Sequence, residues 1–187
     1  MNKVDFSRYN HVLFVGYSLK IKYALWLFVS NIFFLTNIPY PNRLKVLILK
    51  IFGAKIGDVA IIKPWVKIKF PWNLSLGNHV WLGESCWIDN ISSIHIGSHV
   101  CISQGAILIT GNHDYTKSDF SLISNEIKVD DGVWIGAKSV VTGGVHIHTH
   151  AVLSALSLTS KDLESYAIYQ GNPAVKVKSR SITDVHI

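Results

Sequence analysis

The sequence predicts an all-β fold in which the chain winds into a triangular coil of short parallel strands, with a short α-helical segment before it and a tail after it. Two observations predict this coil. From Ile56 onward an aliphatic residue returns every six positions, which fits neither the 3.6-residue period of a helix nor the two-residue alternation of a strand. The residue four positions further on is usually small or valine, and glycine often follows the aliphatic residue directly.

Length and composition are those of one domain with a sizeable core: the chain has 187 residues, of which 49% are hydrophobic and 16% are charged. This composition excludes a disordered or collagen-like chain. With only two cysteines, Cys86 and Cys101, a disulfide framework is excluded as well. We therefore expect reduced thiols in a cytoplasmic protein.

The net charge of +6 is distributed unevenly along the chain. Residues 1–70 hold eleven lysines and arginines and two acidic residues, whereas residues 71–187 hold seven basic and ten acidic residues. Such a division predicts that one end of the molecule meets an anionic partner. Because the basic residues are interleaved with aliphatic ones, nucleic acid is not the expected partner.

Residues 1–55 form an N-terminal segment that is predicted to be helical. Residues 23–42 carry no charge, and a first helix of about sixteen residues is expected before Pro39, since proline ends a helix. A second helix is expected over residues 43–52, where aliphatic residues recur at helical spacing. Three interpretations remain open: a helical pair packed on the main domain, a helix in the membrane interface, and a membrane span. Aromatic residues bracketed by lysines favour contact of residues 20–50 with the inner face of a membrane.

Residues 56–165 are predicted to form the coil, and residues 166–187 a C-terminal tail. Each six-residue unit makes one strand and one corner, with the aliphatic residue inside and the small residue in the tapered interior. Three units complete a turn of roughly eighteen residues, and the turns stack through parallel strand hydrogen bonds. The predicted inward residues, with two-residue slips after Leu74 and Ile94, are Ile56, Ile62, Ile68, Leu74, Leu76, Leu82, Ile88, Ile94, Ile96, Ile102, Leu108, Val129, Ile135, Val141, Ile147 and Leu153.

A polar stretch interrupts the repeat and is predicted to leave one corner as a protruding loop over residues 110–127. It contains His113. A neutral histidine can accept a proton near pH 7, which is what a general base must do. His113 is thus the candidate general base, the alternative being a loop histidine with local hydrogen bonds. Asp114 is adjacent, but the sequence does not identify the group that orients His113.

Several short motifs occur in order along the chain. They are Leu-Lys-Ile-Phe-Gly-Ala-Lys-Ile-Gly at 49–57, Pro-Trp-Asn-Leu at 71–74, Ile-Ser-Gln-Gly-Ala at 102–106, Thr-Gly-Asn-His-Asp-Tyr at 110–115 and Gly-Asn-Pro-Ala at 171–174. With them, nearly the whole chain resembles the hexapeptide-repeat acyltransferases, and among these the colanic-acid type of polysaccharide-biosynthesis acetyltransferase. The resemblance implies a left-handed parallel β-helix, acetyl-CoA as co-substrate, and a homotrimer with active sites between subunits. It also implies direct transfer in a ternary complex, with His113 as the catalytic base and no acyl-enzyme.

For the coenzyme, the resemblance implies a groove between adjacent subunits. The chain departs from the family at Gly144, Leu156 and Leu158, where proline, glycine and valine are usual, and this places the individual coenzyme contacts in doubt more than the fold. Basic residues near the end of the chain offer cations for the coenzyme phosphates, or are ordinary solvated surface. The positions implied are Trp134, Gly136, Ala137, Ser154, Ala155, Ser160, Lys161, Lys176, Lys178 and Arg180.

Asp89 and Asn90 are the candidate contacts for the acceptor. They follow the inward Ile88 and interrupt a repeat, where polar side chains can line a cleft and bind sugar hydroxyls. The competing interpretation is a corner stabilised by side-chain to backbone hydrogen bonds. Tyr115, in the same motif as His113, is assigned to the acceptor with them.

No metal site is predicted. His146, His148 and His150 alternate around the inward Ile147, and one strand cannot bend three adjacent imidazoles around one ion.

The sequence therefore predicts an acetyl-CoA-dependent O-acetyltransferase that acts on a sugar or lipid-linked saccharide in bacterial surface polysaccharide biosynthesis. Two alternatives remain open. One is an acetyltransferase for a xenobiotic or small sugar, and the other is a non-catalytic β-helix that scaffolds a membrane-bound biosynthetic complex.

Overall fold

The computed structural model describes residues 3–9 and 17–183, and in it two helices precede a parallel β-solenoid of about six turns. A 3-10 helix, Phe6–Arg8, is followed by α1 (Tyr17–Phe33) and α2 (Asn42–Ile51). Both predicted helices are thus present. Helix α1 begins earlier than the uncharged run and ends earlier than predicted, because the Ser30 carbonyl accepts hydrogen bonds from both Phe34 and Leu35 and the helix stops there.

Nineteen short strands follow the helices within the described part of the chain. The first nine are β1 (Lys55–Ile56), β2 (Ala60–Ile62), β3 (Lys67–Ile68), β4 (Leu74–Leu76), β5 (Val80–Leu82), β6 (Trp87–Asp89), β7 (Ile94–Ile96), β8 (Cys101–Ile102) and β9 (Ile107–Ile109). A hairpin comes next, made of β10 (Gly111–His113) and β11 (Leu122–Ser124). The remaining strands are β12 (Ile127–Val129), β13 (Trp134–Ile135), β14 (Val140–Thr142), β15 (His146–Ile147), β16 (Val152–Leu153), β17 (Leu158–Thr159), β18 (Ala167–Gly171) and β19 (Ala174–Ser179).

The strands stack into three faces of a triangular prism. Face A contains β1, β4, β7, β12 and β15, face B contains β2, β5, β8, β13, β16 and β18, and face C contains β3, β6, β9, β14 and β17. Successive coils pair in parallel, so the chain passes from face A to face B to face C and returns to face A. The three edges of the prism are named below by the faces they join: the A–B, B–C and C–A edges.

The interior of the prism confirms the six-residue repeat. Every predicted inward aliphatic residue is buried, from Ile56 at 9% exposure to Leu153 at 0%. The small residues four positions later, such as Ala60, Cys86 and Ala151, are buried as well. The two-residue slips correspond to β4 and β7, in which two residues of one strand point inward.

Coil length differs from the predicted eighteen residues in the first part of the solenoid. The paired residues Lys55, Ser75 and His95 lie twenty positions apart, whereas Lys128 and His146 lie eighteen apart. The additional residues widen the C–A edge, where a 3-10 helix, Pro71–Asn73, occupies the first coil. From this widened edge the β10–β11 hairpin departs in the third coil.

Helices α1 and α2 cover the open end of the first coil. Lys45 Nζ donates to the Ile62 carbonyl over 3.0 Å, Asn42 Oδ1 accepts from Ile62 N–H over 3.0 Å, and Trp26 Nε1 donates to the Ile68 carbonyl over 2.8 Å. These side chains satisfy backbone groups that otherwise have no next coil to bind. Burial, followed by the charge of nearby Lys63, lowers the pKa of Lys45. The helical pair therefore packs on the main domain, as one of the three interpretations held.

The outer side of the helical pair is apolar. Side chains four or three positions apart along α1 form an exposed stripe, defined here as Tyr17, Ile21, Leu25, Phe28 and Ile32, and Leu47 and Ile51 of α2 are also exposed. Within residues 3–9 and 17–183, no helix has both the length and the apolar character needed to cross a membrane. The structure therefore does not support the interpretation that one of the described helices spans a membrane.

The predicted C-terminal tail is folded over its described part. Strand β18 adds to face B beside β16, and β19 returns antiparallel to β18. The turn between them contains a cis Asn172–Pro173 peptide bond.

Candidate active site

The β10–β11 hairpin carries the candidate base away from the prism at the C–A edge. Gly111 to His113 pair antiparallel with Leu122 to Ser124. The hairpin is anchored at its base, where the Thr110 hydroxyl donates to the Asp89 carbonyl over 3.0 Å and Asn125 N–H donates to the Thr110 carbonyl over 3.1 Å. The interruption of the repeat is thus an ordered hairpin with a fixed root.

The His113 ring is held by Phe120, on the other side of the hairpin. His113 Nδ1 lies 2.9 Å from the Phe120 carbonyl oxygen, and the two rings stack with centroids 4.4 Å apart at an angle of 10°. A carbonyl oxygen only accepts, so Nδ1 must carry the hydrogen. In the neutral ring the lone pair is then on Nε2, which is the form that a general base requires.

Asp114 does not orient His113. Its carboxylate accepts hydrogen bonds from the Thr116 hydroxyl over 2.6 Å and from Thr116 N–H over 3.1 Å, and Lys117 Nζ lies 3.7 Å away. The Thr116 hydrogen bonds, more than the Lys117 charge, lower the pKa of Asp114. Asp114 therefore closes the turn, and the neighbouring Tyr115 is 80% exposed at its tip.

The N-terminal residues contact the hairpin, which the sequence did not reveal. Asp5 N–H donates to the Ser118 carbonyl over 2.8 Å. Phe6 packs edge-on against Phe120 with ring centroids 5.4 Å apart, and the Tyr9 ring lies 5.4 Å from that of His113. This segment thereby supports the side of the hairpin on which the imidazole lies.

Asp89 lies beside a cavity of about 240 Å³ between α1 and face C. Lys69, at the corresponding position of the preceding coil, places its Nζ 2.9 Å from Asp89 Oδ1. Trp87 lines the same cavity, and its buried Nε1 has no hydrogen-bond partner among the described residues. Ser30 and Asn31 of α1 also line the cavity, as does a second cation, Lys67. The cavity thus combines an indole ring, a carboxylate and two cations, and Asp89 is joined to the root of the hairpin through Thr110.

Asn90, the other predicted acceptor contact, has a structural position. Its side chain is completely buried. Oδ1 accepts from Phe70 N–H over 2.9 Å and Nδ2 donates to the Phe70 carbonyl over 2.6 Å. An acceptor does not reach this amide, and the competing interpretation, a corner held by side-chain to backbone hydrogen bonds, describes Asn90.

The predicted coenzyme positions on the strands cluster near the B–C edge. Gly136 N–H donates to the Leu153 carbonyl over 2.7 Å, and a Cβ at Gly136 would collide with the backbone of Ala155. Glycine is therefore required by coil stacking alone. Trp134 is 48% exposed and donates from Nε1 to the Ser103 hydroxyl over 2.9 Å. Ala137, Ser154 and Ala155 occupy the turns of the B–C edge, between β13 and β14 and between β16 and β17.

The basic residues predicted to bind the coenzyme phosphates differ in whether their side chains already have partners within the chain. Lys176 Nζ pairs with Glu164 Oε2 over 2.6 Å, and this hydrogen bond and charge raise the pKa of Lys176. Arg180 Nη1 donates to the carbonyls of Gly132 over 2.8 Å and His150 over 3.1 Å, which ties the C-terminal segment to the coils. Exposed Lys161, beside Ser160 at the C–A edge, makes no ion pair among the described residues.

Apart from Arg180, which binds carbonyls at the A–B edge, the structure separates the predicted site residues into two groups within one chain. His113 projects from the C–A edge with Asp89 beneath its root, whereas Gly136, Ala137, Ser154 and Ala155 line the B–C edge. Sequence reasoning missed Lys69 and Phe120. Lys69 and Asp89 are twenty residues apart, which is the length of one coil, and this spacing could have indicated that they lie side by side. The Phe120 carbonyl could not have been identified from the sequence, because every residue has a backbone carbonyl.

Comparisons with known proteins identify relatives along most of the chain. The chain is 35% identical over 164 residues to the colanic acid biosynthesis acetyltransferase WcaF of Escherichia coli K12, covering 88% of this chain and 90% of that protein. A maltose O-acetyltransferase from Clostridium difficile 630 superposes with a TM-score of 0.80 at 20% identity, covering 89% of this chain and 90% of that one. A hexapeptide-repeat-containing acetyltransferase from Vibrio cholerae, complexed with acetyl coenzyme A, superposes with a TM-score of 0.78 at 20% identity over 90% of this chain and 92% of that one. No family model matches the sequence.

Proposed function

Since this chain belongs to the hexapeptide-repeat acetyltransferases, we propose that it transfers an acetyl group from acetyl-CoA to a hydroxyl group of a sugar in bacterial surface polysaccharide biosynthesis. The name of the relative WcaF supports the pathway, and the maltose O-acetyltransferase and the acetyl coenzyme A complex support the acceptor class and the donor. One observation carries the chemistry: the hydrogen bond from His113 Nδ1–H to the Phe120 carbonyl leaves Nε2 as the proton acceptor.

The transfer is direct. His113 Nε2 accepts the proton of the acceptor hydroxyl while the hydroxyl oxygen forms a bond to the thioester carbonyl carbon. The carbon–sulfur bond then breaks, sulfur leaves with its electron pair, and the proton on Nε2 passes to sulfur to give free coenzyme A. Neither cysteine suits an acyl-enzyme, because burial raises the pKa of the Cys86 thiol to about 12 and also raises that of Cys101.

The acceptor binds beside Asp89 and Tyr115. The Asp89 carboxylate offers hydrogen-bond acceptors to sugar hydroxyls, and the Trp87 indole ring offers a flat apolar surface for a sugar ring. Asn90 stays in the corner, because it is buried and bound to Phe70.

The coenzyme lies along the B–C edge, at Trp134, Gly136, Ala137, Ser154 and Ala155, with its phosphates near Ser160, Lys161 and Lys176. Arg180 is not assigned to them, because its guanidinium binds the carbonyls of Gly132 and His150 at the A–B edge. Since this edge and the hairpin edge are different edges of one prism, the complete site forms where the edges of two copies meet. The family resemblance implies a homotrimer, and a closed ring of three copies would give each hairpin such a neighbour.

The exposed apolar stripe of α1 contacts a membrane, with Lys20, Arg43 and Lys50 exposed around it. Each such lysine or arginine near an anionic surface contributes about 1 kcal/mol of attraction, which fits the excess of positive charge in residues 1–70. An enzyme placed there meets lipid-linked saccharides at the surface where they reside.

The His113→Ala variant tests the chemistry. We expect release of coenzyme A from acetyl-CoA, screened with nucleotide sugars, lipid-linked sugars and antibiotics as acceptors, to fall by at least about a hundredfold, as for loss of a general base. Coenzyme A should still protect the variant against thermal unfolding. His79→Ala, which alters an exposed histidine stacked on His99, is the matched control. Near-normal turnover by His113→Ala would contradict the proposal, and absence of coenzyme A protection in the unaltered chain would favour a scaffold.

Co-expression of two inactive variants tests the shared site. The His113→Ala variant lacks the base, and the Ala155→Trp variant has a blocked coenzyme edge. When the two variants mix at random in a trimer, about a quarter of the interfaces combine an intact His113 from one copy with an intact coenzyme edge from its neighbour. We expect mixed assemblies to recover activity. No recovery in assemblies shown to be mixed would indicate that each site lies within one chain.

Vesicle sedimentation tests the membrane contact. The full chain should sediment with vesicles that contain phosphatidylglycerol and much less with neutral vesicles, and Phe28→Glu should abolish this binding. Val177→Glu alters an exposed apolar residue on β19 and serves as the control. Unchanged sedimentation of Phe28→Glu, or association of the free chains through α1 seen by light scattering, would contradict a membrane as the occupant.

A further inference from the structure

A group of three side chains with metal-ligand chemistry lies on the A–B edge, away from the two edges of the proposed active site. Asp130 follows β12, and His146 and His148 belong to β15 and the turn after it. Because Lys128 pairs with His146 and Val129 with Ile147, Asp130 falls beside His148 in the next coil. The three residues thus come from two successive coils.

Both imidazoles point at the same carboxylate. His146 Nε2 lies 2.8 Å from Asp130 Oδ1, and His148 Nδ1 lies 3.5 Å from Asp130 Oδ2. The candidate ligand atoms all lie within 4.8 Å of one another, and the two histidine rings are 3.9 Å apart. From this convergence we propose that Asp130, His146 and His148 bind a divalent transition-metal ion with the chemistry of Zn²⁺.

The donor set decides the class of metal. Two imidazole nitrogens and one carboxylate oxygen, at bond lengths of about 2.0–2.2 Å, suit Zn²⁺ and its transition-metal neighbours. Mg²⁺ prefers oxygen ligands and retains its water, so it is not expected here. The side chains are between 33% and 41% exposed, so an ion has access to the site and a solvent molecule can complete its coordination.

The backbone holds these ligands in place without the ion. Asp130 N–H donates to the Ile147 carbonyl over 2.9 Å, His148 N–H donates to the Leu163 carbonyl over 2.9 Å, and His146 N–H donates to Asp162 Oδ1 over 2.7 Å. An ion bound by Asp130 and the two histidines would therefore clip two neighbouring coils together. Its role is structural, because the proposed chemistry lies on the C–A and B–C edges.

The three alternating histidines alone cannot surround one ion, because they follow one another along a single strand and its turn. The strand supplies two ligands, and Asp130, sixteen residues before His146, supplies the third. His150 takes no part, since its ring stacks on Tyr166 at 4.8 Å and 1°.

Calorimetric titration of the chelator-treated full chain tests the site. We expect one Zn²⁺ per chain to bind saturably and Mg²⁺ not to bind. Asp130→Asn and His148→Gln should each weaken Zn²⁺ binding by at least about tenfold. Loss of a residue that only hydrogen-bonds to a metal ligand already weakens metal binding by about tenfold or more, so loss of a ligand should cost at least as much. His95→Gln is the control, because His95 lies on the same face beside Glu126 and outside the group.

Thermal unfolding provides the second measurement. Zn²⁺ should raise the Tm of the unaltered chain and of His95→Gln but not that of Asp130→Asn, because an ion that binds only the folded state stabilises it. No saturable Zn²⁺ binding, or equal binding by Asp130→Asn and His148→Gln, would overturn the proposal and leave the group as an ion pair. Asp130→Asn should retain its transferase activity, so the outcome is independent of the His113 test.

Discussion

Replacing Asn90 with alanine tests whether its amide holds the widened C–A edge or serves the acceptor. The side chain is completely buried, and it bridges to both the N–H and the carbonyl of Phe70 in the preceding coil. Alanine removes the hydrogen bond to the buried Phe70 N–H, whereas the Phe70 carbonyl keeps its hydrogen bond from Asn73 N–H over 3.0 Å. At about 1–3 kcal/mol for the one lost partner of a buried group, the free energy of unfolding should fall by about 1–3 kcal/mol.

The effect is large enough to measure by thermal denaturation. With about 2–4 °C per kcal/mol for a chain of this size, a loss near the middle of the range lowers Tm by roughly 4–8 °C. Protein concentration must be held constant, since assembly also shifts Tm. At a temperature where the Asn90→Ala variant is folded, its KM for the acceptor should be close to that of the unaltered chain.

Asp89→Asn is the matched comparison, because it alters the adjacent residue without changing its size. It removes the charge paired with Lys69 and should raise the acceptor KM much more than it lowers Tm. If Asn90→Ala had normal stability and a raised acceptor KM, Asn90 would be an acceptor contact and not a structural residue. If Asp89→Asn left the acceptor KM unchanged, Asp89 would not contact the acceptor.

Three further predictions concern the fold. Gly136→Ala should lower the free energy of unfolding by about 1–3 kcal/mol in denaturant titration, because its new Cβ meets the Ala155 backbone; stability equal to the unaltered chain would contradict the close stacking. Trp26→Phe removes the hydrogen bond to the Ile68 carbonyl and should cost about 1–3 kcal/mol, whereas Trp81→Phe, at a 41% exposed position, should cost much less. Cys86 should resist thiol reagents in the native chain and react only after unfolding, because it is 0% exposed; rapid modification of both cysteines in the native chain would contradict its burial.

The interior of the solenoid was predictable because the repeat encodes it directly. A buried aliphatic residue every six positions has one consistent explanation, and residues from Ile56 to Leu153 are buried as expected. The length of the first coils was less predictable. The residues that widen the C–A edge are polar or lie in a 3-10 helix such as Pro71–Asn73, and they carry no periodic signal.

The candidate site was predictable only where side-chain chemistry alone marks it. His113 is visible in the sequence because it lies in a polar interruption of the repeat. The group that orients it is a backbone carbonyl of Phe120, and only the pairing of β10 with β11 brings that carbonyl to the ring. The pairing of Asp130 with His148 likewise depends on the register between coils, which the hairpin insertion obscures in the sequence.

The C-terminal hairpin has a consequence for how these molecules avoid joining end to end. A stack of parallel strands ends in unpaired backbone groups that can recruit the same edge of another copy, which is a route to aggregation. Among the described residues, the outermost strand of the sheet on face B is β19, which runs antiparallel to β18 and carries the exposed Lys176 and Lys178. Positive charges on an edge strand oppose the approach of a second identical edge. Strand β19 therefore protects the edge of this sheet against pairing with the same edge of another copy.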